Sequence, residues 1–190
     1  MMPLFKSAYD ALRFAYNFNG DNCVSPMLGI PPSGNGKGLG GLDGAAEAGN
    51  IKRIVATLGI DSEMIIVARF MPDRIICGCG RACCQGWYLS LGWKSAIRHL
   101  ARILASVCFN NKGSESYRML MLAHWFKPDN QTIEDIGKAE GYSRSTAYEH
   151  FKAVRKFFRS TRTRKGAEQI VLEAVEEQLR KAGIVGEEAE

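Results

Sequence analysis

The amino-acid sequence predicts a mainly α-helical protein, and three observations lead to that prediction. Several long segments repeat apolar side chains at intervals of three and four residues, which is the spacing of one helix face. Only one very short segment, residues 75–76, favours an extended chain. An apolar content of 46% over 190 residues is enough for a buried core. We therefore expect a helical bundle.

The first predicted element is an N-terminal helix, within residues 1–19. Leu4, Ala8, Leu12 and Ala15 form its apolar stripe, and an Asn-Gly pair ends it. Residues 20–42 are rich in glycine and proline, which predicts a flexible loop.

Two phosphate-binding patterns nearly occur in this loop. The glycines at 36, 38 and 41 satisfy G-x-G-x-x-G, but Pro31 and Pro32 are incompatible with the preceding strand that a dinucleotide site needs. A P-loop also fails, because Gly38 stands where the magnesium-binding Ser or Thr belongs. A flexible connector is favoured over a nucleotide site.

A helical body is predicted over residues 43–127. Helices at 43–58 and 61–70 are separated by Gly59, and Asp61 or Ser62 is expected to cap the second. Residues 92–109 form one strongly amphipathic helix, and Ser114 begins the next. We interpret His124 as a packed core histidine, since no second metal ligand is near it in the sequence. The apolar stripe of the 92–109 helix consists of Trp93, Ile97, Leu100, Leu104 and Val107.

A cysteine-rich loop at residues 77–86 interrupts this body. Four of the six cysteines, Cys77, Cys79, Cys83 and Cys84, lie within eight residues. Thiolates at that density in a reducing compartment favour a soft metal, and zinc is the expected ion. Three of these thiolates with His99 or Cys108 form an alternative ligand set. Redox chemistry and plain structural thiols remain alternatives to a metal.

Residues 128–160 predict a helix-turn-helix. Its first helix starts after Thr132, whose hydroxyl can accept an N–H near Asp135, and buries Ile133, Ile136 and Ala139. Gly141 provides the left-handed turn, and Ser143 caps a second helix. That helix has an inward stripe of Ala147, Phe151 and Val154. Glu140, before the turn glycine, stands where such motifs usually place an apolar residue.

The outward face of the second helix carries the candidate DNA-binding residues. Residues 142–166 contain eight Lys or Arg against one acid, a local charge of +7 in a chain whose net charge is +5. A basic cluster beside a candidate recognition helix suits phosphate neutralisation. An ordinary helical hairpin with a solvated face is the alternative. The candidates are Ser143, Arg144, Ser145, Tyr148, Glu149, Lys152, Arg155, Lys156 and Arg159.

Residues 161–190 are predicted to form a basic connector and an acidic C-terminal helix over 167–182. Ile170, Val171, Val175 and Leu179 are its main apolar residues, and the helix packs on the body or meets a partner helix. The last eight residues are expected to fray. No run reaches the roughly 18 apolar residues of a membrane helix, and the N-terminus lacks a signal-peptide layout, so we expect a cytoplasmic protein without a membrane partner.

Taken in order, these features resemble the late-gene antitermination proteins of lambdoid bacteriophages, the Q family. The resemblance lies in LDGAAEAGNIKRIVATL, then CGCGRACCQGW with the helix WKSAIRHLARIL, then a helix-turn-helix of the sigma-factor region 4 type. It covers about residues 40–160 and leaves the glycine-rich loop and the acidic tail unexplained.

The resemblance implies a transcription antitermination factor in the cytoplasm of a bacterial host. Such a protein binds double-stranded DNA at a late promoter, associates with RNA polymerase and its sigma factor, and lets polymerase pass terminators. A second protomer on DNA belongs to the same expectation. The competing hypotheses are a helix-turn-helix repressor or activator of initiation and a nucleotide-dependent phage protein. No catalytic constellation occurs in the sequence, so we do not expect an enzyme.

Overall fold

The computed structural model describes residues 3–18, 41–77, 79 and 85–186. In this part of the chain it is mainly helical, with nine α-helices and one two-stranded sheet, which confirms the predicted fold class at that level. The chain divides into two compact units, residues 1–66 with 171–190 and residues 67–170. The basic segment at 142–166 therefore lies wholly within the second unit.

The first unit contains α1 (Ala8–Asn17), α2 (Gly41–Ala56) and the start of α3 (Ile60–Phe70). Helix α1 packs on α2, and Leu12, Ile51 and Val55 are fully buried in this unit. The prediction that Leu4 belongs to the buried stripe is wrong. Because the side chain of Ser7 caps the helix by accepting from the Asp10 N–H, α1 begins at Ala8 and Leu4 is exposed.

Gly59 separates α2 from α3 as predicted, but the predicted cap of α3 is wrong. Gly59 adopts a φ of +90°, which ends α2 and which L side chains rarely adopt. Helix α3 then begins immediately at Ile60. Asp61 and Ser62 therefore lie in its first turn, so neither is the N-cap residue. An acidic first turn still favours the helix, because it faces the positive end of the helix dipole.

The C-terminal end of the described chain is ordered, contrary to the predicted fraying. Gly183 ends α9 (Ala167–Lys181) with a φ of +71°. The N–H of Ile184 then donates to the Leu179 carbonyl over 3.0 Å, and Phe5 N–H donates to the Ile184 carbonyl over 3.1 Å. This pairing buries Ile184 and Val185. Residues 187–190 lie outside the described part of the chain.

The second unit contains a β-hairpin, and the sequence predicts only the first of its two strands. Strand β1 (Arg74–Ile76) pairs antiparallel with β2 (Trp87–Leu89) in the register Ile75 to Tyr88. The Cys77 N–H donates to the Gly86 carbonyl over 2.9 Å, which extends the pairing to the base of the cysteine-rich loop. The sequence predicted an extended segment at residues 75–76 but no second strand, because the three residues of β2 are too few for an alternation signal.

The predicted helix at 92–109 is two helices, α4 (Leu91–Ile103) and α5 (Ala105–Phe109). Leu104, between them, has a φ of −90° and a ψ of 2°, and its N–H donates to the Leu100 and Arg102 carbonyls. This tightened turn rotates the following residues, so Cys108 and Phe109 take the buried positions. Val107, predicted as the last member of the buried stripe, is instead 61% exposed.

Four helices complete the unit around α6 (Glu115–Phe126). Helix α6 packs against α4, α7 (Ile133–Ala139) and α8 (Arg144–Phe158), and α8 also packs against α5. Helix α6 starts at Ser114 as predicted, and Ser114 is its N-cap, because its hydroxyl accepts from the Tyr117 N–H over 3.0 Å. In α9, Val171, Val175 and Leu179 are buried, whereas Ile170 is exposed.

Candidate nucleic-acid interface

The two helices of the predicted motif start and turn where the sequence places those signals. The Thr132 hydroxyl accepts from the Asp135 N–H over 3.1 Å, and the Asp135 carboxylate accepts from the Thr132 N–H over 3.2 Å. This capping box satisfies two amides that the first turn leaves unpaired. Gly141 has a φ of +75°, and the Ser143 hydroxyl accepts from the Thr146 N–H over 3.3 Å. All three signals are local and are confirmed.

The close packing of α7 on α8 depends on Gly137, which is not part of the predicted buried stripe of α7. A Cβ added to Gly137 would lie 2.6 Å from the Cβ of Ala147, closer than such atoms approach. Ala139, predicted to be buried, is exposed, and Gly137 takes its place beside Ile133 and Ile136. Glycine destabilises the interior of a helix. Its presence inside the predicted α7 therefore indicates a close contact with another helix.

The buried face of α8 contains one histidine that the predicted stripe omits. Ala147, Val154 and Phe158 are buried, and Phe151 is half-buried. Between them lies His150, which is also buried and whose Nδ1 is 2.9 Å from the Tyr117 hydroxyl. Its ring centroid lies 5.5 to 5.7 Å from those of Phe109, Tyr117 and Tyr142. His150 thus connects α8 to α5, α6 and the turn.

Burial lowers the pKa of His150, and the nearby Lys112 ammonium lowers it further. At pH values below about 6.5 the unfolded chain binds a proton that the folded protein resists, so we expect the free energy of unfolding to fall there. Urea midpoints measured at about pH 7.5 and about pH 5.5 check this expectation. The variant Tyr117→Phe/His150→Phe should lose most of the difference. NMR titration of the His150 ring at or above the ordinary histidine pKa would contradict it.

Glu140, the residue that departs from the usual apolar pattern, has a structural role. Its carboxylate accepts a hydrogen bond of 2.6 Å from the hydroxyl of Ser114, the residue that caps α6. A carboxylate makes this contact, and an apolar side chain cannot. The hydrogen bond joins the α7–α8 turn to the start of α6 and accounts for the unusual residue.

The residues predicted to bind DNA form an exposed face of α8, which we call the basic face. Arg144 is 71% exposed at the side chain, and its guanidinium carbon lies 5.6 Å from the centre of the Tyr148 ring. With Ser143 and Ser145 these two residues line a shallow groove. The exposed members are Ser143, Arg144, Ser145, Tyr148, Glu149, Lys152, Arg155, Lys156 and Arg159.

Two cations of the basic face, Arg144 and Lys152, lie beside carboxylates. Arg144 Nε lies 3.5 Å from the carboxylate of Glu134 on α7, which also binds Lys138 over 2.9 Å. The Lys138 ammonium lowers the pKa of Glu134, so the acid is ionised at neutral pH. Lys152 Nζ lies 3.6 Å from the Glu149 carboxylate. Since all these pairs are exposed, each is weak and can exchange its partner for a phosphate.

The predicted metal ligands are only partly within the described chain. Cys77 is half-buried at the base of the hairpin, Cys79 is exposed, and Cys83 and Cys84 lie outside the described residues. Among described residues there is no group of three or more His, Cys, Asp or Glu that could hold a metal ion. Burial raises the pKa of the Cys108 thiol to about 11, which disfavours the thiolate needed by the alternative ligand set.

The remaining candidates are a histidine and the glycine-rich loop. The His124 ring lies 5.6 Å from the Phe151 ring and is largely buried, which agrees with a packed histidine. Its Nδ1 is 3.7 Å from the Asp129 carboxylate. Gly36 and Gly38 lie outside the described chain, and Gly41 is the first residue of α2.

Comparison with known protein families, with curated proteins and with solved structures finds no match to this chain. No helix in the described residues is both long enough and apolar enough to cross a membrane.

Proposed function

We propose that this protein binds double-stranded DNA through a helix-turn-helix formed by α7, the Gly141 turn and α8. The observation that carries the proposal is the basic face of α8, an exposed helix surface opposite a face on which Ala147, His150, Val154 and Phe158 are buried. A recognition helix contacts base edges mainly through residues near its N-terminus. Here those residues are Ser143, Arg144, Ser145 and Tyr148, which line the shallow groove.

Arg144 is the residue best suited to recognise a base. A guanidinium can donate two hydrogen bonds to the O6 and N7 acceptors of guanine in the major groove. In the unbound protein this guanidinium lies beside Glu134 and the Tyr148 ring at the start of α8. Because the pair with Glu134 is exposed and weak, the guanidinium can leave it for a base.

We further propose that DNA binding serves transcription antitermination with RNA polymerase. The order of sequence features supports this proposal through the resemblance to the Q family. For the polymerase contact we propose the β1–β2 hairpin and the start of α4, because this segment exposes several large apolar side chains, which is typical of a protein-binding surface. Its exposed members are Ile76, Trp87, Tyr88, Leu89 and Leu91.

In vitro transcription distinguishes this function from control of initiation. The template carries a duplex site selected by the protein, a promoter and a downstream terminator, and full-length and terminated transcripts are measured. We expect the wild-type protein to increase the read-through fraction without changing the total number of transcripts, and Arg144→Ala to lose this effect. A change in total transcripts with constant read-through would instead support a repressor or activator.

We also propose that each chain binds one zinc ion through Cys77, Cys79, Cys83 and Cys84. The support is the density of thiols in the sequence and the hydrogen bond from Cys77 to Gly86, which closes the hairpin at the start of this segment. Zinc prefers four ligands, and sulfur is its commonest ligand in structural sites.

The zinc proposal predicts about one equivalent of metal per chain in protein purified without added zinc. Elemental analysis measures it directly. The variant Cys83→Ser/Cys84→Ser should lose the metal, whereas Cys108→Ser, which removes the buried thiol of α5, should retain it. Wild-type protein without metal, or equal metal in both variants, would reject this ligand set.

A further inference from the structure

The turn that follows α8 is ordered, although its sequence predicts only a basic connector. Thr161 N–H donates to the Arg164 carbonyl over 2.8 Å, and Gly166 N–H donates to the Ser160 hydroxyl over 2.9 Å. The Arg164 guanidinium donates to the Lys156 carbonyl at the end of α8. A Cβ on Gly166 would collide with the main chain of Phe158. These contacts fix the turn, residues 160–166, against the C-terminal end of the helix.

Three exposed arginines at the C-terminal end of α8 and in this turn lack, within the described chain, the carboxylate partners that Arg144 and Lys152 have. Arg144 and Lys152 each lie within 3.6 Å of a carboxylate. Within the described chain, Arg155, Arg159 and Arg162 have no such partner, and all three are exposed. Unpaired arginines held on an ordered surface suit a polyanion, because guanidinium groups bind phosphate in a bidentate manner.

Two of these arginines, Arg155 and Arg159, belong to the basic face, and Arg162 lies in the turn that follows α8. At about 100° per residue, Arg144, Arg155 and Arg159 fall within a stripe about 60° wide. The 15 residues of α8 span about 22 Å, whereas the major groove is about 12 Å wide. If α8 enters the groove with its N-terminal end first, the C-terminal end and the turn extend beyond the groove. The structure nearest to them is then the phosphate backbone flanking the groove.

We propose that Arg155, Arg159 and Arg162 form a phosphate-binding site, separate from the base-contacting end of α8, for duplex DNA. The inference rests on the proposed function and divides it into two parts. The N-terminal end of α8 determines which sequence is bound, while the arginines at its C-terminal end and in the turn supply affinity that does not depend on sequence. Bases near Arg144 and phosphates near Arg162 are contacted together.

The salt dependence of binding to a 30-base-pair duplex of mixed sequence tests this inference. For B-DNA, log K falls with log salt concentration with a slope of about −0.9 per neutralised phosphate. We expect the variant Arg155→Gln/Arg159→Gln/Arg162→Gln to reduce the magnitude of this slope by about 2 to 3. The variant with lysine at the same three positions retains the charges and should keep a slope close to that of the wild type.

A matched control removes the same charge from the other unit of the chain. Lys6, Arg13 and Arg53 are exposed, and replacing all three with glutamine lowers the net charge by the same amount. We expect this control to keep the wild-type slope. Circular dichroism and thermal midpoints establish that each variant is folded.

Three other outcomes would each overturn a different part of the proposal. Equal slopes for the wild type and the folded arginine-to-glutamine variant would overturn the phosphate site and leave the proposed function intact. Tighter binding to a single-stranded RNA of the same length would overturn the choice of duplex DNA as the ligand. No binding of the wild type to duplex DNA at low salt would overturn the proposed function and this inference together.

Discussion

Replacing Gly137 with valine is expected to destabilise the protein by about 3 kcal/mol and to abolish DNA binding, because side chains added to a packed contact force the helices apart. The Cβ alone would lie 2.6 Å from the Ala147 Cβ, and the two further methyl groups of valine make the overlap worse. Such a loss is large beside the 5 to 15 kcal/mol typical of whole-protein stability. Denaturant unfolding followed by circular dichroism measures it.

The same substitution at Gly49 provides the control. Gly49 also lies inside a helix, α2, but a Cβ there would meet nothing within 4 Å. We expect Gly49→Val to change the free energy of unfolding by less than about 0.5 kcal/mol. In the double variant Gly137→Ala/Ala147→Gly, space is restored at the crossing, so it should be more stable than Gly137→Ala. Equal effects of valine at positions 49 and 137 would show that the crossing does not need glycine.

Replacing Arg144 with alanine is expected to weaken binding to a selected DNA site by about tenfold or more, since a bidentate contact to a base contributes about 1 to 3 kcal/mol. The loss should be much smaller on mixed-sequence duplex. Lys152→Ala should weaken both complexes similarly and reduce the salt slope by about one unit, as expected for a phosphate contact. Fluorescence anisotropy titrations at several salt concentrations measure both quantities.

Arg102 is a close match to Arg144 for this comparison. Its side chain is 65% exposed, against 71% for Arg144, and its Nε lies 3.3 Å from the Glu115 carboxylate. It lies on α4 in the same compact unit, outside the basic face. We expect Arg102→Ala to bind DNA as the wild type does. An equal loss of affinity in Arg102→Ala and Arg144→Ala would indicate a general effect of charge.

Features that depend only on residues close together along the chain could be predicted from the sequence. The capping residues Ser114, Thr132 and Ser143, and the turn glycine Gly141, act through hydrogen bonds or dihedral angles within a few positions along the chain. Helix periodicity likewise identified the exposed side of α8. These signals are short in range, so one sequence contains all the information they need.

Contacts between distant residues were not predictable in this way. Ile75 pairs with Tyr88 between two strands of only three residues each, and strands this short give no clear pattern in the sequence. The approach of Gly137 to Ala147 and the hydrogen bond from Ser114 to Glu140 join residues that the sequence pattern does not relate. The burial of His150 follows from the aromatic groups of three other segments, and a polar residue on a helix gives no sign of such a site.

The break within the predicted 92–109 helix has a different origin. Periodicity continues across Leu104, so the sequence favours one long helix with Val107 inside. In the structure the tightened turn at Leu104 gives Cys108 and Phe109 the buried positions, where Phe109 lies 5.7 Å from His150, centre to centre. Packing against α8 therefore outweighs the continuity of the pattern. The Phe109 ring therefore packs against His150 on the buried face of α8, opposite the basic face.

Selection of binding sites from a pool of duplexes with a randomised centre tests most directly whether the N-terminal end of α8 recognises bases. We predict that the wild type enriches one sequence family. Arg144→Ala should enrich the same family with one base pair, a G·C pair in the wild-type selection, now degenerate. Identical enriched families and affinities for the two proteins, both folded, would contradict the claim.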